Sequence, residues 1–189
     1  RLATRLRLEG AGLDWRGGPT AIGPVPLLGG GTGAGFRADG ARAYGRAMGE
    51  ATLARGLGRF AAALTGAAGT IAGVGGDAPD RLPTQRLFYV GGLQTVRGQF
   101  ARPVGPGYVG DAFWLARTEL GLNATAARPT VFYDLGWAGA RRDFARRGVP
   151  LSGVGIGASF LDGLVRVDLS RGLRPERRTR LDLSLDARF

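Results

Sequence analysis

The sequence predicts an all-β chain, an antiparallel transmembrane β-barrel wound as an up-and-down meander, on three observations. Eight segments alternate apolar and polar residues with period two, so each presents one apolar and one polar face. The segments run about ten residues, longer than the usual five or six of soluble strands and close to what a spanning strand needs. Their connections alternate between long and tight, which places long loops at one end of a meander and short turns at the other.

The first segment, near 1–11, sets Leu2, Thr4, Leu6 and Leu8 against Arg1, Ala3, Arg5, Arg7 and Glu9. Gly17-Gly18-Pro19 and Gly29-Gly30-Gly31 then mark a loop of about twenty residues. Residues 36–53 and 59–73 read two ways. Arg42, Arg46 and Glu50 have helical spacing, but Gly45, Gly49, Gly56, Gly58, Gly66 and Gly69 each cost up to about 1 kcal/mol in a helix interior. With period two, Arg42, Tyr44, Arg46, Met48 and Glu50 share a face, which favours two strands turning near Gly56 to Gly58.

The later strands are clearer. Within 111–122, Ala112, Trp114, Ala116, Thr118, Leu120 and Leu122 oppose Asp111, Phe113, Leu115, Arg117 and Glu119. Within 129–138, Val131, Tyr133, Leu135 and Trp137 oppose Thr130, Phe132, Asp134 and Gly136. Within 152–161, Val154, Ile156, Ala158 and Phe160 oppose Gly153, Gly155, Gly157 and Ser159. Asp162-Gly163 is a two-residue hairpin signal into 164–172. The last strand, 179–189, alternates Leu181, Leu183, Leu185, Ala187 and Phe189 with Arg180, Asp182, Ser184, Asp186 and Arg188. Trp137, Phe160 and Phe189 fall on apolar faces toward strand ends, where an aromatic girdle would meet lipid, and Tyr133 reads as plain lipid contact. A soluble antiparallel sheet with one face on a core and one in water gives the same alternation and is the competing architecture.

Composition removes several functions. The 189 residues include neither Cys nor His, so disulfides, thiolate and imidazole metal ligands and Ser–His or Cys–His pairs are out. No enzyme activity, cofactor or metal is expected. All 26 basic residues are Arg and the net charge is +11, but the arginines are spread along the chain. No basic stripe with interleaved aromatics appears, so nucleic acid is not an expected partner. The run Arg141, Arg142, Arg146 and Arg147 is either a solvated loop or a contact for lipopolysaccharide phosphates. The chain opens on Arg1 without Met or a signal-like run, which predicts a piece of a longer protein.

Residues 74–110 read as one very long loop. Pro79, Pro83, Pro103 and Pro106 flank its apolar centre, Phe88 to Phe100, which predicts a loop packed against something. Arg97 lies in that centre. Glu119 and Asp134 lie on the polar faces of neighbouring strands and repel unless a guanidinium bridges them. From the residues alone two readings stand: Arg97 latches the loop to these carboxylates, or it is a solvated loop arginine. Phe132 either packs on the loop or fills a tapering barrel. Gly136 either admits a close backbone or ring, or bends its strand.

Gly91-Gly92, then Val96-Arg97-Gly98, resembles the loop motif of the outer-membrane β-barrel assembly and translocation superfamily (bacterial surface antigen, BamA/TamA family), related to the pores of two-partner secretion. The motif's aromatic, Phe100, comes one position late here, after Gln99. Phe132, Asp134 and Gly136 match a second motif, Phe-x-Asp-x-Gly, and Glu119 matches an acidic residue on the intervening strand. Leu181, Leu183, Leu185 and Phe189 resemble the family's C-terminal insertion signal.

The resemblance implies a loop, 74–110, folded back from the outside into the barrel and latched by Arg97. It implies that 1–189 supplies the C-terminal eight strands of sixteen, with the N-terminal barrel half and periplasmic modules absent. A barrel closed from eight strands is filled by its own side chains and has no room for such a loop. The implied function is the assembly and insertion of β-barrel proteins in a Gram-negative-type outer membrane. The alternatives are a two-partner secretion pore that translocates a partner protein and, in another class, a passive porin or structural barrel. The implied partners are outer-membrane lipid and lipopolysaccharide, unfolded barrel or secreted clients, and accessory lipoproteins.

Overall fold

The computed structural model describes residues 2–12, 43–74, 86–100, 107–122, 127–144, 150–161 and 164–185. Phe189 and the Asp162-Gly163 turn lie outside these residues. The strands are β1 (Leu2–Gly12), β2 (Ala43–Leu57), β3 (Phe60–Val74), β4 (Phe88–Tyr89), β5 (Val109–Gly110), β6 (Ala112–Leu122), β7 (Ala127–Gly139), β8 (Leu151–Phe160), β9 (Val165–Arg174) and β10 (Thr179–Leu185). All pairing between strands is antiparallel. The ambiguous stretch is two strands, paired from Ala43↔Val74 to Leu57↔Phe60.

Eight strands form one sheet in the order β1-β2-β3-β6-β7-β8-β9-β10. Among the described residues β1 and β10 do not pair with each other. The remaining two, β4 and β5, form a short ladder, Phe88↔Gly110 and Tyr89↔Val109, that ties off the base of the long loop. Between them the chain runs through Gly91 to Phe100 across one face of the sheet, here called the inner face.

The apolar core lies between this loop and the inner face. Val90, Val96 and Phe88 from the loop and Tyr108 beside β5 pack on Ile71 (β3), Phe113 and Leu115 (β6), Ala138 (β7) and Leu151 (β8). Phe88 and Phe113 stack with centroids 4.4 Å apart. Burying each of these larger side chains contributes roughly 1.5–3 kcal/mol, so the loop is fastened by apolar contact at Phe88, Val90, Val96 and Tyr108.

Among the described residues most large side chains of the outer face are exposed. Leu53, Leu64, Leu120, Val131, Ile156 and Leu169 are exposed on it, and Leu181, Leu183 and Leu185 of β10 are 69, 67 and 72% exposed. A sheet face meant for water carries polar residues at these positions. Trp137 corrects the expectation of a ring open on this face. It is only 6% exposed, because Phe144 closes over it edge-on at 6.3 Å and Gly139 lies against its ring.

Candidate functional site

The site is built where β6, β7, β8 and β9 present their inner-face residues side by side. The registers Arg117↔Asp134, Glu119↔Phe132, Phe132↔Gly155 and Gly157↔Asp168 place three carboxylates and an aromatic within one patch. The loop brings the fourth component from above. Gly91 and Gly92 turn the chain with φ of 117° and 96°, and Gly91 N donates to Thr95 Oγ1 at 2.8 Å. A side chain at either position would strain the backbone. Thr95 N and Gln99 N donate to Gly92 O and Val96 O, so the tip is a compact knot held by its own backbone.

Arg97 points from that knot into the patch and is 1% exposed. Its Nε donates to Asp134 Oδ2 at 2.6 Å and its Nη2 to Asp134 Oδ1 at 2.7 Å. The backbone N–H of Arg97 donates to Asp134 Oδ2 at 3.1 Å. Nη1 donates to Glu119 Oε1 at 2.5 Å and lies 3.8 Å from Asp168 Oδ2. The guanidinium carbon sits 3.5 Å from the centroid of the Phe132 ring. The two-pronged bond to Asp134 is the strong, directional kind that a lysine cannot copy. Burial by itself would lower the pKa of Arg97, but its bonds to Asp134 and the charges of Asp134 and Glu119 outweigh that and hold it above its ordinary value.

Two further arginines complete the cluster. Arg166 donates through Nε to both oxygens of Asp168 at 2.9 Å and through Nη2 to Glu119 Oε1 at 3.0 Å. Arg117 holds the loop from the side, with Nη1 donating to Gln94 O at 3.1 Å and Nε 3.6 Å from Asp134 Oδ1. Arg97, Arg117 and Arg166 thus balance Glu119, Asp134 and Asp168. A buried charge persists only when paired and hydrogen-bonded, and every member of this group is.

Strand β8 contributes space. A Cβ on Gly153 would lie 1.8 Å from Arg97 O, and one on Gly155 would lie 2.4 Å from Phe132 Cζ. The inner-face glycines of β8 therefore let the loop backbone and the aromatic ring descend onto the strand. Gly98, at φ 83°, passes so close to β9 that a Cβ would meet Gly172 N at 2.5 Å. The atoms nearest Gly136 belong to neither a backbone nor a ring. It leaves room for the side chains of Val96, Val90 and Leu115, the nearest of which a Cβ would meet at 2.8 Å.

The structure brings together Gly91, Gly92, Val96, Arg97, Gly98, Glu119, Phe132, Asp134 and Gly136, while Leu181, Leu183 and Leu185 lie apart from them on the outer face. No family model and no curated protein matches the chain. The resemblance read from its motifs therefore stands on the residues themselves. Sequence reasoning missed Gln99, which is fully buried. Its Nε2 donates to Ser152 O and Glu176 O, both at 3.0 Å, and its Oε1 accepts from Tyr108 Oη at 3.2 Å. Phe100, the motif's aromatic, is 39% exposed with Arg180 5.2 Å over its ring. Arg166 and Asp168 read from the sequence as an opposite-charge pair on one polar face, and they do pair at 2.9 Å; that they and Arg117 join the Arg97 cluster was missed. Among the described residues no group of three or more His, Cys, Asp or Glu is arranged to hold a metal ion.

Proposed function

We propose that this chain is the C-terminal part of an outer-membrane β-barrel that assembles other β-barrel proteins in the membrane. The observation that carries the reading is Arg97, a loop-borne guanidinium gripped by Asp134 and Glu119 on the inner wall of a sheet whose outer face is apolar. The paired charges suit an enclosed polar interior, and the leucine-bearing outer face suits a lipid exterior. Further strands would pair with the free edges of β1 and β10 and close the barrel. The loop then acts as a fixed inner brace against which the wall keeps its shape. A client strand would be held by backbone hydrogen bonds at a sheet edge, so binding needs no covalent chemistry.

The test replaces Arg97 by Ala in the full-length protein in its own outer membrane. The reading expects the variant to be present in the membrane while the amounts of other barrel proteins fall. A secretion pore would instead lose an exported partner with other barrels intact. A passive barrel would show altered conductance and normal levels of every other barrel, which would overturn the reading.

A further inference from the structure

Among the described residues, three arginines directed to the inner face meet carboxylates, and three at one corner of the outer face do not. Arg97, Arg166 and Arg180 each meet a carboxylate. Arg171, Arg174 and Arg177, at the loop end of β9 and in the segment leading to β10, are all exposed. Among the described residues none of the three lies within ion-pair distance of a carboxylate, whereas their neighbour Arg178 lies 4.0 Å from Glu176. The three rim a cleft of about 440 Å3 with Tyr133, Leu135, Pro150 and Leu173 on its walls. Arg171 belongs to the apolar face itself: it stands opposite Val154, which stands opposite Tyr133.

Water satisfies an exposed guanidinium, but where an apolar face enters a bilayer its arginines reach for the interface, and there an anionic headgroup is their natural partner. Charge and apolarity in one cleft select an anionic amphiphile over a soluble anion, and three cations exceed what a single phosphodiester neutralises. We propose that this cleft binds the headgroup of a membrane lipid carrying two phosphates, with its acyl chains lying along the apolar face toward Val154 and Leu169. The inference rests on the reading that the outer face meets lipid.

The experiment uses the full-length protein in phosphatidylcholine nanodiscs and titrates it with fluorescent bisphosphorylated lipid A, with dephosphorylated lipid A and phosphatidylglycerol as comparison probes. The triple variant Arg171→Gln/Arg174→Gln/Arg177→Gln is expected to bind lipid A about tenfold more weakly. The control Arg55→Gln/Arg59→Gln, two exposed arginines at the opposite end, is expected to change binding less than about twofold. Both comparison probes are expected to bind the unaltered protein about tenfold more weakly than lipid A. Equal binding by the triple variant, or phosphatidylglycerol binding as tightly as lipid A, would overturn the proposal. Entry into the nanodisc is scored separately. Protein that enters the bilayer and ignores the phosphates contradicts the headgroup site alone, and protein that fails to enter contradicts the membrane reading and the site together.

Discussion

Arg97 and Asp134 stand 37 residues apart in the chain and make three hydrogen bonds, two from the guanidinium and one from the backbone N–H. The carboxylate therefore reads both the charge of the loop tip and the course of its backbone. A side chain that keeps only the charge satisfies part of this arrangement.

Replacing Arg97 by Ala leaves Asp134 buried without its main partner, and breaking such a pair costs about 3–5 kcal/mol. Arg97→Lys keeps a charge but loses the two-pronged bond and the stacking on Phe132, and is expected to recover less than about half of that loss. Urea unfolding of the protein in lipid vesicles measures both variants.

Gly153→Ala is expected to unseat the loop, because its Cβ would meet the Arg97 carbonyl. Backbone cannot rotate away as a side chain can, so the cost should exceed about 2 kcal/mol. Gly49→Ala meets nothing within 4 Å and should stay within about 0.5 kcal/mol of the unaltered protein. Protease cleavage within the 86–100 segment, run beside the unfolding curves, separates an unseated loop from a weakened sheet.

Gln99 and Phe100 form a second contrast. Gln99→Ala strips partners from Ser152 O, Glu176 O and Tyr108 Oη, at about 1–3 kcal/mol for buried groups left unsatisfied. Phe100→Ala removes a partly exposed ring and should cost under about 1 kcal/mol. Unfolding curves that rank Phe100 above Gln99 would show that the tip is not seated as described.

Much of the architecture was legible because period two is a local signal. Each strand from Ala112 onward announces its faces in its own residues, and the same parity put Glu119 and Asp134 on one side. The loop tip was less legible. A motif places Arg97, but only the fold shows that Gln99 points inward and Phe100 outward, since nothing local fixes the direction of a side chain in a knot of turns. Trp137 reads as surface by alternation. Its cover, Phe144, comes from a connection whose path no periodicity encodes. Asp168 and Arg166 entered the cluster through pairings across β8 and β9 that only the register reveals.

The titration of Arg97 has a defined sign. A group held above its ordinary pKa lends stability that is whole below that ordinary value and is lost as the pH rises through the folded one. Both lie far into alkali. Between about pH 7 and pH 10 the stability difference between the unaltered protein and Arg97→Gln should therefore stay constant, within about 0.5 kcal/mol. A steady decline over that range, read from unfolding at each pH, would contradict the environment described for Arg97.

The outer face is tested by charge. Leu183→Arg, at a position 67% exposed, should leave a water-facing sheet almost unchanged but destabilise a strand near mid-bilayer by about 2–4 kcal/mol. Unfolding in vesicles compared with unfolding in detergent gives the difference, and a cost absent from the vesicles would argue for water on that face.

The most direct measurement is a double-mutant cycle between Arg97 and Asp134, with Arg97→Gln, Asp134→Asn and the pair unfolded from lipid vesicles. The account predicts that the two single losses overlap, leaving a coupling of at least about 2 kcal/mol. Losses that simply add, to within about 0.5 kcal/mol, would mean that the loop is not held by this pair.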